Sequence, residues 1–168
     1  MKNKLKLFFL TVILMVFACD KTKNADTSSV LASKLSSTSI SKYDSIKAQA
    51  YGADDYGMKK YVIAFLKRGP NKSVDSVKRA ELQLAHMNNI NRLAEEGKLV
   101  LAGPFFGNDD LRGIYVFNVE SIDEAEALTN TDPSIKAGVL VMELKEWYGS
   151  AALMEVNGLH HTLAKKDF

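Results

Sequence analysis

Residues 73–106 read SVDSVKRAELQLAHMNNINRLAEEGKLVLAGPFF. As far as Glu96 the spacing is helical: Leu82, His86, Ile90 and Leu93 fall on one stripe, with Val77, Leu84 and Met87 beside it. Gly97 is the expected stop, because glycine takes the left-handed conformation at a helix end without a Cβ penalty. The period then changes, and residues 99–106 predict a strand interrupted near Gly103-Pro104. The flanks extend this helix-to-strand unit in both directions. Upstream, Tyr61-Val62-Ile63-Ala64-Phe65-Leu66 predicts a buried strand closed by Gly69-Pro70. Downstream, Gly107-Asn108-Asp109-Asp110 is a turn, and residues 112–119 alternate as a third strand. Ile114, Val116 and Asn118 share one side of it; Tyr115, Phe117 and Val119 share the other. Ser121 and Glu124 form a capping box for a second helix over residues 122–129. Asp132-Pro133 breaks that helix, and residues 139–147 predict a fourth strand.

The order β-α-β-β-α-β is a ferredoxin-like α+β arrangement, a four-stranded antiparallel sheet with helices over one face. Its domain is expected to span residues 59–148. The uncovered face is expected to carry Phe65, Phe105, Tyr115 and Phe117. So large an apolar face calls for a partner, and a second copy pairing face to face would bury it in a homodimer.

The remaining chain reads as address and extensions. At 168 residues there is room for one ordinary domain with additions, and 46% apolar residues exclude a wholly disordered chain. A single cysteine excludes an internal disulfide framework and a cysteine-cluster zinc site. A net charge of +2 gives no reason to expect a nucleic-acid binder. Lys2, Lys4 and Lys6 precede an apolar run too short to span a bilayer, so residues 1–18 read as a secretory signal. That run ends in Val16-Phe17-Ala18-Cys19, which resembles a bacterial lipobox, although Phe17 stands where a small residue is usual. Cys19 is thus the expected lipidation site, and the protein is expected to be lipid-anchored in the bacterial cell envelope. Cleavage before Cys19 removes three lysines and no acid, leaving a net charge of −1. Residues 19–58 are expected to be a Ser/Thr-rich tether, with a short helix over 43–50 and Tyr56 docked on the domain. Residues 149–168 are expected to be a tail, with a short helix over 151–156 and then a loose end.

Three segments resemble one family: Tyr61 to Leu66, the block HMNNINRLAEEGKLVLAGPF over residues 86–105, and DPSIKAG over residues 132–138. They are similar to the YciI (YCII-related) family. The resemblance implies a muconolactone isomerase-like fold that dimerises into an α+β barrel. It also implies a His–Asp pair in a pocket, matched here by His86 and Asp132. Most members have no established reaction; where one has been assigned, it includes elimination on a substituted aromatic ring.

Periodicity alone makes His86 a buried structural histidine, and Asp-Pro alone makes Asp132 a turn residue. The resemblance reverses that weighting. Histidine titrates near neutrality, and a carboxylate on its second ring nitrogen fixes the tautomer and stabilises the imidazolium. No nucleophile elbow surrounds Ser134, so proton transfer is favoured over covalent hydrolysis. The expected substrate contacts are Gly103 and Pro104, where ligand can approach backbone, Phe105 and Tyr115 as an aromatic wall, Arg112 for an anionic group, and Ser134. By residue type alone Phe105 and Tyr115 are more often plain core or dimer contacts, and Arg112 more often a solvated strand end. No cofactor is called for, and His160-His161 lack the spacing of a metal site. The expectation is a cofactor-independent isomerase or lyase acting on a small organic molecule; the alternative is a non-catalytic small-molecule-binding or envelope-interaction module.

Overall fold

The computed structural model describes residues 43–166. The expected signal segment 1–18, the expected lipidation site Cys19 and the part of the expected tether up to residue 42 lie outside the described residues. Helix α1, Ser45–Tyr51, comes first, with Asp44 at its N-cap and Gly52 closing it at φ +67°. Strand β1, Met58–Arg68, leads to α2, Ser76–Glu95, and then β2, Leu99–Pro104, and β3, Leu111–Phe117. Helix α3, Ile122–Thr129, is followed by the short α4, Pro133–Lys136, and by β4, Leu140–Ser150. A 3-10 turn, Ala151–Glu155, and α5, Val156–Leu163, complete the chain. The four strands form one antiparallel sheet in the order β2-β3-β1-β4, the split βαβ topology the sequence predicts.

Local chemistry sets the boundaries. Helix α2 begins at Ser76 because the Asp75 side chain accepts from Lys78 N–H at 2.9 Å. Ser73 instead donates its N–H to Asn71 Oδ1 in a turn, so it stays outside the helix. At the other end Gly97 sits at φ +68°, while Gly97 N–H reaches Ala94 O and Lys98 N–H reaches Leu93 O, a Schellman closure. Strand β2 ends at Pro104 and does not extend to Phe106.

The helices cover one face. Val62, Ala64 and Leu66 of β1 pack there with Leu93, Leu99, Tyr115, Phe117, Val119 and Ala125. Tyr115 and Phe117 were expected on the uncovered face and lie instead beneath the helices. The register explains this, since Val62 pairs with Phe117 and Ala64 with Tyr115, and paired residues share a face. The stripe on α2 also differs: Leu82, His86, Asn89 and Leu93 are buried, while Val77 and Leu84 point to solvent.

The other face is partly covered by the chain's own tail. Tyr61, Val100 and Val116 form a second cluster there, packed by Ile63, Leu101, Leu153 and Met154. A bulge between Leu99 and Leu101 places both Val100 and Leu101 in it. The tail is therefore not loose after Val156: α5 follows, and Asn157 Nδ2 donates to Leu99 O at 2.8 Å. Glu155 also holds α1, accepting from Lys47 and from the Tyr51 hydroxyl, so residues 43–57 belong to the fold. Tyr56, expected to dock, is 87% exposed. Asp54 makes the contact, taking Tyr56 N–H, Met58 N–H and the Tyr148 hydroxyl, and this turn leaves the Tyr56 ring at its tip.

Candidate active site

His86 lies on the buried stripe of α2, one helical turn from Leu82. Asp132 is the N-cap of α4, where Pro133 suits the first helical position because its missing N–H would have no partner there. The Asp-Pro break thus aims a carboxylate back at α2. Asp132 is fully buried, and each oxygen has a partner: Oδ1 accepts Ser134 N–H at 2.8 Å, and Oδ2 lies 2.5 Å from His86 Nδ1. A buried carboxylate without such partners would cost several kcal/mol, so the pair holds α4 against α2 as well as setting its chemistry.

On the far side of the ring the Tyr115 hydroxyl lies 3.3 Å from His86 Nε2. The network assigns the tautomer: Asp132 accepts from Nδ1–H, leaving Nε2 as acceptor for the phenol O–H. The tyrosine is only 2% exposed, and its pKa is pushed far above the ordinary phenol value, first by burial and then by the Asp132 charge. It therefore remains a neutral donor. Its row in the sheet is Ala64-Tyr115-Ala102, and the small flanking residues leave space for the ring. Phe117 meets the same ring edge-on at 5.7 Å between centroids.

A second polar clasp lies one turn further along α2. Asn89 Oδ1 accepts from Arg92 Nη2 and from Thr131 Oγ1, each at 2.9 Å, which joins α2 to the residue before Asp132. The sequence reading missed this clasp; the available signal was a polar residue, Asn89, on an otherwise apolar stripe.

Of the expected substrate contacts, Ser134 and Tyr115 join His86 and Asp132. Ser134 is buried, and its hydroxyl donates to Leu82 O at 3.2 Å, tying α4 to α2. Gly103, Pro104, Phe105 and Arg112 lie toward the β2–β3 turn. Gly103 pairs with Ile114 and Pro104 with Gly113. Phe105 is 45% exposed, and its N–H donates to Arg112 O. Arg112 Nη1 is 3.3 Å from both Gly107 O and Asp109 O, where it braces its own turn. Two cavities, of about 450 and 570 Å³, lie beside the start of α2 and between α2, β2 and α5; neither is lined by His86, Asp132 or Tyr115.

The chain has relatives. A model of the YCII-related domain matches residues 60–148. The "Uncharacterized protein YjpA" of Bacillus subtilis (strain 168) is 34% identical over 62 residues, which cover 37% of this chain and 71% of that protein. A solved structure of the 5-chloro-2-hydroxyhydroquinone dehydrochlorinase TftG from Burkholderia phenoliruptrix AC1100, in complex with 2,5-dihydroxybenzoquinone, is similar at 21% identity with a TM-score of 0.40. That likeness covers 51% of this chain and 92% of the other.

Proposed function

The chain belongs to the YCII-related family, and from that premise we propose that it is a cofactor-independent proton-transfer enzyme, of isomerase or lyase type, acting on a small aromatic or anionic organic molecule. The observation that carries this reading is the 2.5 Å approach of His86 Nδ1 to Asp132 Oδ2, with Nε2 left as the basic atom. In this reading a substrate proton moves to Nε2, and Asp132 stabilises the imidazolium that forms. Tyr115 stands on that path. Its hydroxyl either swings aside for the substrate or relays, giving its own proton to Nε2 as it takes the substrate's.

The reading has two further parts. Cys19 carries the lipid, and the protein works at a membrane in the bacterial cell envelope; the signal-like residues 1–18 support this. Labelled palmitate incorporated by the full chain and lost in Cys19→Ser would bear it out. The part of the sheet face that the tail leaves uncovered pairs with a second copy. Trp147 and Val141, about 40% exposed on β4, support that. Light scattering that finds only monomer at micromolar concentration would refute it.

A non-catalytic binding module is favoured by one observation: His86 is 8% exposed and Asp132 fully buried, so the pair is closed. The decisive experiment follows every mass in a cell-envelope small-molecule extract incubated with the wild type, His86→Ala or Asp132→Asn. A compound consumed by the wild type alone supports the enzyme. A compound bound equally by all three and never consumed supports the module.

A further inference from the structure

We propose that the cleft between the end of β1 and the start of α2 is an anion site, suited to a phosphate or phosphate monoester dianion and separate from the His86 centre. This cavity, about 450 Å³, is lined by Arg68, Lys72, Arg79 and Asp110 among its charged residues, with Asn71 and Asn108 between them. Three cations against one carboxylate leave a net charge of two, the complement of a dianion. Asp110 leaves Arg68 available to a ligand, because its side chain is 94% exposed and stands 4.0 Å from Arg68 Nε.

The cleft is preorganised. Gly69 N–H donates to Val139 O at 2.7 Å, Asn71 N–H to Gly138 O and Arg68 N–H to Asp110 O at 2.9 Å each. Asn71 Nδ2 adds a bond to Ala137 O, while its Oδ1 turns the chain toward Lys72 and α2. A Cβ at Gly69 would stand 2.0 Å from Gly138 O, so only glycine allows the two backbones to meet. The cations are held on this frame with donors to spare. Arg68 uses Nη2 on Asn108, and Arg79 uses Nη2 on Val74 O, leaving each guanidinium further N–H groups. Lys72 has no hydrogen bond or ion pair among the described residues. Guanidinium forks match the oxygen geometry of a phosphoryl group, and an ammonium adds a point charge.

Arg79 precedes His86 by seven residues, two helical turns and about 10 Å along α2. The anion site therefore lies at the exposed end of the stripe whose buried middle holds His86, and its occupancy does not require the pair to act.

The test is calorimetric titration of the full chain with inorganic phosphate and with glycerol phosphate, at low and at moderate salt. Saturable one-to-one binding is expected, weakened at least tenfold in the Lys72→Glu/Arg79→Glu double variant, kept in Lys72→Arg and unchanged in His86→Ala. These charge reversals lie on exposed side chains, and an unchanged melting curve checks the fold. Phosphate that does not saturate, that is displaced equally by chloride at the same ionic strength, or that binds the double variant as tightly would overturn the proposal. Loss of binding in His86→Ala would overturn its independence from the pair.

Discussion

From one strand, Val62, Ala64 and Leu66 project into the helices, while Tyr61, Ile63 and Phe65 project to the other side of the sheet. Both rows are apolar, yet they are finished differently. The helix-covered side closes over a polar core in which Asp132, His86, Tyr115 and Ser134 satisfy one another, while Asn89 is satisfied by Arg92 and Thr131. The other side has a small cluster sealed by Leu153 and Met154, and beyond it Lys67, Glu143 and Lys145 stand at the surface beside the remaining apolar residues. Polar groups under the helices have no water to fall back on, so each partner is obligatory. On the open side Lys67, Glu143 and Lys145 keep their water, and contacts there can be lost one at a time.

The contrast breaks if equal disturbances on the two sides cost equally. Asp132→Ala should be the largest single loss, about 3–5 kcal/mol, because it strips His86 and Ser134 of a buried charged partner at once. Leu153→Ala on the tail should cost less, about 1–2 kcal/mol, because a half-buried leucine surrenders only part of the usual core penalty. Urea denaturation followed by fluorescence of Trp147 gives both numbers. A tail variant as damaging as the aspartate variant would mean that the open face, too, is held as a unit.

The same contrast explains what could be read in the sequence. Strands and helices came through because periods of 2 and 3.6 are imposed by burial, and Ser121 and Gly97 mark ends by local chemistry that needs no tertiary context, whereas the Asp75 cap that starts α2 at Ser76 was not read. Which face was covered did not come through. Alternation groups Tyr115 with Phe117 but is silent on whether that row looks at helices or at solvent, and on β1 both rows are apolar. The tail was misread because Leu153 and Met154 seal the cluster with too few apolar residues to show a period. His86 and Asp132 were found through family resemblance; spacing alone makes them a core histidine and a turn aspartate. The Tyr115 hydroxyl was missed as a hydrogen-bond partner, since a buried tyrosine in a strand reads as bulk, and only the register beside Ala64 and Ala102 brings its oxygen to Nε2.

Tyr115→Phe sharpens the comparison from within the buried side. It removes one neutral hydrogen bond of 3.3 Å and leaves the ring packed on Phe117, so stability should fall by about 0.5–1.5 kcal/mol. Activity separates the two routes proposed for the proton. A relay through the phenol predicts turnover falling by about 10²-fold or more, the scale of a lost general acid or base. A phenol that only swings aside predicts turnover unchanged or raised, read on whichever compound the extract experiment identifies.

The smallest effect belongs to the open side. Glu143 is lowered to about 2 by its hydrogen bonds with Lys145 and Lys67, reinforced by their charges. A carboxylate whose folded pKa is depressed adds stability above its unfolded value near 4.5, and that contribution disappears as pH falls toward 2. The window is therefore pH 4.5 down to 2, and because the group stays in contact with solvent its share is screened by salt. Carboxyl titration by NMR should place Glu143 lowest at low ionic strength. Lys67→Met should raise its midpoint while Lys145 keeps it below the ordinary glutamate value, and the melting temperature at pH 7 should scarcely move. If Lys67→Met lowered that melting temperature as far as Tyr115→Phe does, the open-side charges would be as obligatory as the buried ones, and the distinction between the two faces would fail where it should be clearest.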